Sequence, residues 1–282
     1  MYMTKTLLFL SVLASGLVSA QEDLLKDIDT LKTDTEISQP AFKALQIVTG
    51  QSTKLSAKNE WYIVVAHRFG DISTGFKNFF GLDDASTKLG VIYGLTDAVS
   101  VSLSRETNMK TFEGAVKYKL VKQTENFPAD IVGYNVMALN TDLDKDNYPY
   151  LKFGDRLAYL TQALISRRFN DKFSLQLTPS FIHKNLYDPA IEDKNQFLAG
   201  LGGRYKISKR ISLNAEYFVN FDNHSFYKNP LSLGMDIETG GHVFQLLFSN
   251  SQINSDIGYL SNAVGKWGKG QIFFGFNLYR VF

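Results

Sequence analysis

Gln271-Ile-Phe-Phe-Gly-Phe-Asn-Leu-Tyr-Arg-Val-Phe282, at the end of the chain, reads as one extended strand. Ile272, Phe274, Phe276, Leu278 and Phe282 share one phase of a period of two, while Gly275, Asn277 and Tyr279 share the other. A strand with this pattern has one greasy face and one more polar face. Arg280 interrupts the apolar phase near the end. Two settings fit: the last strand of a barrel with its greasy face in lipid, or a half-buried strand of a soluble sandwich. The residues upstream have to decide between them.

Upstream, extended segments are expected at 61–68, 88–95, 98–105, 111–121, 131–139, 157–168, 173–183, 196–207, 211–221, 231–237 and 242–250. With the last one they make twelve, an even number as in single-chain outer-membrane barrels. The connections sort by length. Long stretches at 70–87, 140–155, 184–195, 222–230 and 251–270 alternate with tight turns at 96–97, 170–171, 208–209 and 239–241. The turn at 126–128 is moderate and the loop at 106–110 is of medium length. Membrane barrels segregate short turns and long loops to opposite ends, and a sandwich has no reason to. The expected fold is therefore all-β: a single antiparallel up-and-down transmembrane β-barrel with long external loops and short periplasmic turns. Both termini then lie in the periplasm.

Strand faces support β structure without separating the two settings. Ile211, Leu213, Ala215, Tyr217 and Val219 oppose Ser212, Asn214, Glu216 and Asn220, and Val99, Val101 and Leu103 oppose Ser100, Ser102 and Ser104. A sandwich would turn the apolar face inward and a membrane barrel would turn it outward, with the same alternation in sequence.

Composition agrees with an extended, turn-rich chain. Its 282 residues include 22 Phe, 14 Tyr and 21 Gly against only 6 Pro. Aromatic side chains suit a pleated surface and glycine suits tight turns. The absence of cysteine excludes disulfides, thiolate metal sites, cysteine nucleophiles and a lipidated N-terminal cysteine. A net charge of +2, with no basic run interleaved with aromatics, gives no footprint for nucleic acid.

Residues 1–20 read as a secretory signal. Lys5 precedes a short apolar run at 7–18, and Val18-Ser19-Ala20 before Gln21 fits small-residue cleavage. The run is too short to span a bilayer as a helix. Residues 21–58 are expected to be a periplasmic lead-in or a plug, with 42–48 as an extra strand or plug segment, and 59–282 the barrel.

Particular segments carry a resemblance. They are His67-Arg68-Phe69-Gly70, Phe80-Gly81-Leu82-Asp83, Tyr93-Gly94-Leu95-Thr96-Asp97, Gln162-Ala163-Leu164-Ile165, Gly202-Gly203-Arg204-Tyr205-Lys206 and Leu213-Asn214-Ala215-Glu216-Tyr217. Asp236-Ile237-Glu238-Thr239-Gly240-Gly241-His242-Val243-Phe244-Gln245 follows, then Phe276-Asn277 and Arg280-Val281-Phe282. In this order, over residues 42–282, the chain resembles a Bacteroidota outer-membrane β-barrel family of unknown function. The resemblance implies an outer-membrane barrel, within which Arg280 is an ordinary part of the ending. It brings no activity and no catalytic residue.

The lumen-phase charges Glu113, Lys117, Lys119, Arg204, Lys206, Glu216, Asp236 and Glu238 mix both signs. They are expected either to neutralise one another inside a filled barrel or to line a pore and tune its selectivity. Twelve strands lie between filled and open barrels, so the passage expected is narrow or gated. His67 and Arg68 are candidates for an anion contact at the barrel mouth or for a structural pair holding the next loop. Phe282 is the expected signal read by barrel assembly machinery.

Asp142-x-Asp144-x-Asp146-Asn147 opens like a calcium loop but has Asn147 for the glycine and Phe153 for the bidentate glutamate, so a solvated acidic loop is expected. His183, His224 and His242 have no G-x-S-x-G partner, and neither a phosphate loop nor a dinucleotide fingerprint occurs. No enzyme, cofactor or metal is expected. The functional expectation is a narrow channel or transporter for small solutes. The alternatives are a closed structural or surface-interaction barrel and a soluble periplasmic β-sandwich. The expected partners are outer-membrane lipid and barrel assembly machinery, with room for a small-molecule solute and no nucleic acid.

Overall fold

A computed structural model describes residues 40–221, 226–239 and 242–282. The expected signal sequence and the first half of the expected lead-in, residues 21–39, lie outside these residues, as does His224. Twelve strands follow one another: β1 (Trp61–Asp71), β2 (Ala85–Thr96), β3 (Val99–Glu106), β4 (Thr111–Val121), β5 (Asp130–Asn140), β6 (Leu157–Arg168), β7 (Phe173–Lys184), β8 (Asn195–Lys206), β9 (Ile211–Asn220), β10 (Leu231–Thr239), β11 (His242–Ser249) and β12 (Phe273–Val281). Each pairs antiparallel with its neighbours in sequence, and β1 pairs with β12, so the sheet closes. The sandwich alternative is excluded, because one closed sheet replaces two packed ones.

The faces decide what alternation alone left open. Along β9, Ser212, Asn214, Glu216 and Phe218 are buried inward, while Ile211, Leu213, Ala215 and Tyr217 are exposed. Along β8, Gln196, Leu198, Gly200 and Gly202 are buried while Phe197, Ala199 and Leu201 are exposed. The outward face is apolar, while the inward face carries the polar residues together with apolar ones such as Leu198 and Phe218. A water-soluble protein would not present such a band to water, whereas a bilayer matches it. Among the described residues no helix is long and apolar enough to cross a membrane; the chain crosses with strands.

The closing strand is shorter than its sequence pattern, since Ile272 precedes it. Phe274, Phe276 and Leu278 face outward, and Asn277 and Tyr279 point into the lumen. Outside, rings meet across the seam: Phe69 stacks on Phe274 with centroids 5.7 Å apart, and Phe248 approaches Phe274 at 5.3 Å. Cross-strand aromatic pairs of this kind stabilise the pairing they span. Phe282 completes the closure by backbone bonds in both directions with Trp61. The Arg280 guanidinium lies over the Phe282 ring, 4.7 Å from its centroid, so the apparent break in the apolar phase becomes a cation–π contact at the strand end.

Loop lengths segregate as expected. The connections at 97–98, 169–172 and 207–210 are tight and lie at one end, here called the turn side, which also carries the longer connection at 122–129. The connections at 72–84, 141–156, 185–194 and 250–272 lie at the other, the loop side, together with the shorter one at 107–110. Residues 42–48 add no strand to the sheet; only an isolated bridge joins Gln46 to Gln51.

Candidate functional site

The lumen is occupied by the chain itself. Residues 40–56 run through it from the turn side, and Ala41, Phe42, Ala44, Leu45, Ile47 and Val48 are buried there. This insert has no regular secondary structure, so its backbone groups need partners from the wall. The inward polar phase supplies them. The Glu216 carboxylate accepts the N–H groups of Thr49 and Gly50, both at 2.8 Å, and that of Val48 at 3.2 Å. Asn277 donates to the Val48 carbonyl at 2.8 Å, and Gln245 donates to the carbonyls of Gln46 and Ile47. The Lys117 ammonium reaches the carbonyls of Leu45, Ser52 and Lys54 at 3.0–3.3 Å. Tyr279 donates to the Gln46 side chain.

A second insert enters from the loop side. Between β11 and β12 the chain turns inward and forms a short helix, α1 (Asp256–Ser261), all of it buried. Glu106 accepts the N–H groups of Asn254 at 2.5 Å and Ser255 at 2.9 Å, and Glu113 accepts that of Asp256 at 2.8 Å. The Lys88 ammonium bridges Glu113 at 2.7 Å and Asp256 at 3.6 Å. Tyr134 donates to Asp256 at 2.8 Å.

The inserts also hold each other. Gln51 of the first donates to Asp256 of the second at 2.9 Å. Tyr259 of the second donates to Glu216 at 2.8 Å, the same carboxylate that grips the first. Between them a cavity of about 60 Å³ remains, bordered by Arg68, Lys88, Lys117, Tyr134 and Asp256. That is room for a few water molecules and not for an organic solute.

A wider recess lies at each end. The turn-side recess, of about 520 Å³, is lined by Lys43, Lys54, Arg168, Lys172, Arg204 and Lys206, with Asp171 and Glu238. The loop-side recess, of about 540 Å³, is lined by Arg156, Lys184, Asp188, Glu192, Tyr148 and Tyr227, among others. There Lys184 pairs with Glu192 at 2.5 Å and donates to Asn262 at 3.2 Å. Burial raises the Tyr227 phenol above its ordinary value.

The structure divides the expected lumen residues into two groups. Glu113, Lys117, Glu216 and Asp236 are deep inside, each hydrogen-bonded to an insert or to a neighbouring wall residue. Arg204 and Glu238 form an ion pair at 2.7 Å near the turn side, and Glu238 also binds Lys43 at 2.6 Å. Lys119 and Lys206 lie at the turn-side rim.

His67 and Arg68 are not at a mouth. β1 continues to Asp71, which places both within the wall, one on each face. His67 stacks on Phe276 outside, with centroids 5.4 Å apart, and bonds Thr87. Arg68 is buried in the lumen, where it donates to Thr49 at 3.2 Å and Asn277 at 2.9 Å.

Glu106, Lys88, Gln245 and Asn277 join the expected lumen residues in holding the inserts. All four lie in the inward phase of their strands, so phasing each strand in full would have found them. Asp256 carries no such signal, because nothing local shows that its loop folds inward.

The other motifs stay separate. Asp142 pairs with Lys110 at 2.7 Å, and Asp144 accepts the Asn147 N–H at 2.8 Å. Among the described residues no three His, Asp or Glu side chains converge on a metal position. The two ring nitrogens of His183 meet the side-chain oxygens of Asn195 at 2.6 Å and Asn185 at 3.1 Å.

Solved structures share the architecture. The NanC porin aligns with a TM-score of 0.50 and 10% identity, covering 78% of this chain and 98% of its own. The KdgM porin gives the same score and identity, covering 78% of this chain and 99% of its own. At this identity the likeness shows the fold. No curated protein matches the chain in sequence. Residues 42–282, which include nearly all of the turn-side insert and every strand, match the membrane-bound β-barrel domain described as DUF5777, and the chain belongs to that family.

Proposed function

We propose that this protein is an outer-membrane channel for small solutes, held shut by residues 40–56 and by the loop that carries α1. The observation that carries the reading is the nature of the closure. The wall grips the backbone of both inserts through hydrogen bonds and ion pairs from side chains that, once freed, would line a polar, mixed-charge stretch of the passage, beside an apolar cluster in which Leu55, Ile257 and Leu260 pack on Val132, Leu164 and Ile182. Water entering the lumen could solvate these polar groups in place of the inserts, while separating the apolar contacts sets the cost of opening. Barrels of the porin type supply the precedent for the architecture.

In this reading the turn side faces the periplasm and the loop side faces outward, as in outer-membrane barrels generally. A cleaved signal at 1–20 directs export, and assembly machinery reads Phe282. The outer membrane of a Bacteroidota cell is the setting the sequence resemblance implies. We assign no catalytic activity.

Planar-bilayer recording tests the proposal. The intact protein should give rare or small openings, and a variant lacking residues 40–56 should conduct steadily. If that variant assembles, as judged by heat-dependent mobility on a denaturing gel, and still passes no current with the α1 loop also shortened, the barrel is a closed structural element instead.

A further inference from the structure

The charge of the turn-side recess is unbalanced in a way that of the loop-side recess is not. Six cationic side chains, Lys43, Lys54, Arg168, Lys172, Arg204 and Lys206, face two carboxylates, Asp171 and Glu238. Glu238 is shared between Arg204 and Lys43, and Asp171 pairs with Arg168 at 2.5 Å. Among the described residues Lys54, Lys172 and Lys206 have no carboxylate within ion-pair distance. The whole chain carries a net charge of only +2, so the excess is a local feature. The loop-side recess shows nothing comparable: Arg156 and Lys184 there face Asp155, Asp188 and Glu192.

The cations also line a concavity of about 520 Å³, not a flat surface. Low-dielectric walls focus the field of such a group into the space between them. The Arg204 guanidinium is buried and fixed by Ser212 at 3.0 Å and Glu238 at 2.7 Å. The three lysines lie on separate elements around the opening: the insert, the β6–β7 turn and the end of β8.

We infer that this recess binds a small multivalent oxyanion, a polycarboxylate or a phosphate-bearing solute, whose negative groups are met by Lys54, Lys172 and Lys206. A neutral solute gains nothing from such a site, and a monovalent anion engages only part of it. The site does not require the lumen to open, so it stands or falls separately from the channel proposal.

Calorimetric titration of the full-length barrel in zwitterionic detergent at low salt tests it, with citrate, inorganic phosphate and sucrose as probes. Saturable binding of citrate or phosphate, none of sucrose, and weakening as sodium chloride is added are expected. Which anion binds tells carboxylate from phosphate preference. The K172A/K206A double variant should bind about tenfold or more weakly. K145A, on a loop at the far end, should bind as the unaltered protein does. Heat-dependent gel mobility confirms that each variant is assembled. No saturable binding of either anion, or equal affinity in the double variant, overturns the inference.

Discussion

The carboxylate of Glu216, in the barrel wall, accepts the backbone N–H of Gly50 at 2.8 Å, across 166 positions of sequence. It also holds the N–H groups of Thr49 and Val48 and the hydroxyl of Tyr259. One wall residue therefore gathers both inserts.

Replacing Glu216 with Gln puts a donor where these N–H groups need acceptors. Hydrogen bonds to a charged group contribute about 1.5–3 kcal/mol each, so the first insert should open far more often while the barrel stays assembled. Limited trypsin digestion at Lys43 and Lys54 reads this opening. Cleavage at least ~tenfold faster in E216Q is expected, and unchanged cleavage would show that Glu216 does not hold the insert.

Lys88 neutralises two buried acids, Glu113 at 2.7 Å and Asp256 at 3.6 Å. Removing one member of a buried ion network leaves its partners uncompensated, at about 3–5 kcal/mol. K88M should accordingly lower the temperature at which the barrel loses its compact gel mobility. Adding E113Q should recover part of the loss; a double variant no better than K88M counts against the pairing.

Gly94 of β2 lies against the junction between the first insert and β1. A Cβ there would come within 1.8 Å of the Ala57 carbonyl oxygen, a backbone atom that cannot move aside alone. G94A should therefore destabilise the assembled barrel by about 1–3 kcal/mol. Gly268 has no atom within 4 Å of the corresponding position, and G268A should be neutral in the same heat-shift assay.

Leu201 is exposed in the middle of β8, opposite Leu177 and Tyr217 on the two adjacent strands. If that face meets lipid, L201R should cost about 2–4 kcal/mol. Refolding titrations into lipid vesicles measure it, and a cost near zero would place the face in water.

Phe282 exchanges backbone hydrogen bonds with Trp61 at the seam, and its ring is exposed. Deleting it removes that closure and the proposed assembly signal together. The amount of heat-modifiable barrel in the outer membrane should fall. Replacing Phe282 with Leu keeps the backbone bonds, so a comparable fall in that variant points to recognition of the ring and not to the seam.

The sequence by itself determined the twelve strands, their order and the segregation of turns and loops. Those properties rest on local signals: the period of two along 211–220, the tight turns such as Asn170-Asp171, and the short reach of antiparallel connections. It left open which face turns inward, because a sandwich and a barrel in lipid share one alternation. Closure of β1 on β12 settled that. Only the tertiary structure decided that the lumen is filled. Residues 42–48 and Asp256 lie in stretches with no usable periodicity, and their partners, Glu216, Lys117 and Lys88, are distant in sequence. Arg68 shows the same limit: its place in the lumen follows from three further strand residues and from Asn277 across the seam. A pattern of alternation can say that a side chain points inward. What meets it there depends on chain that arrives from elsewhere.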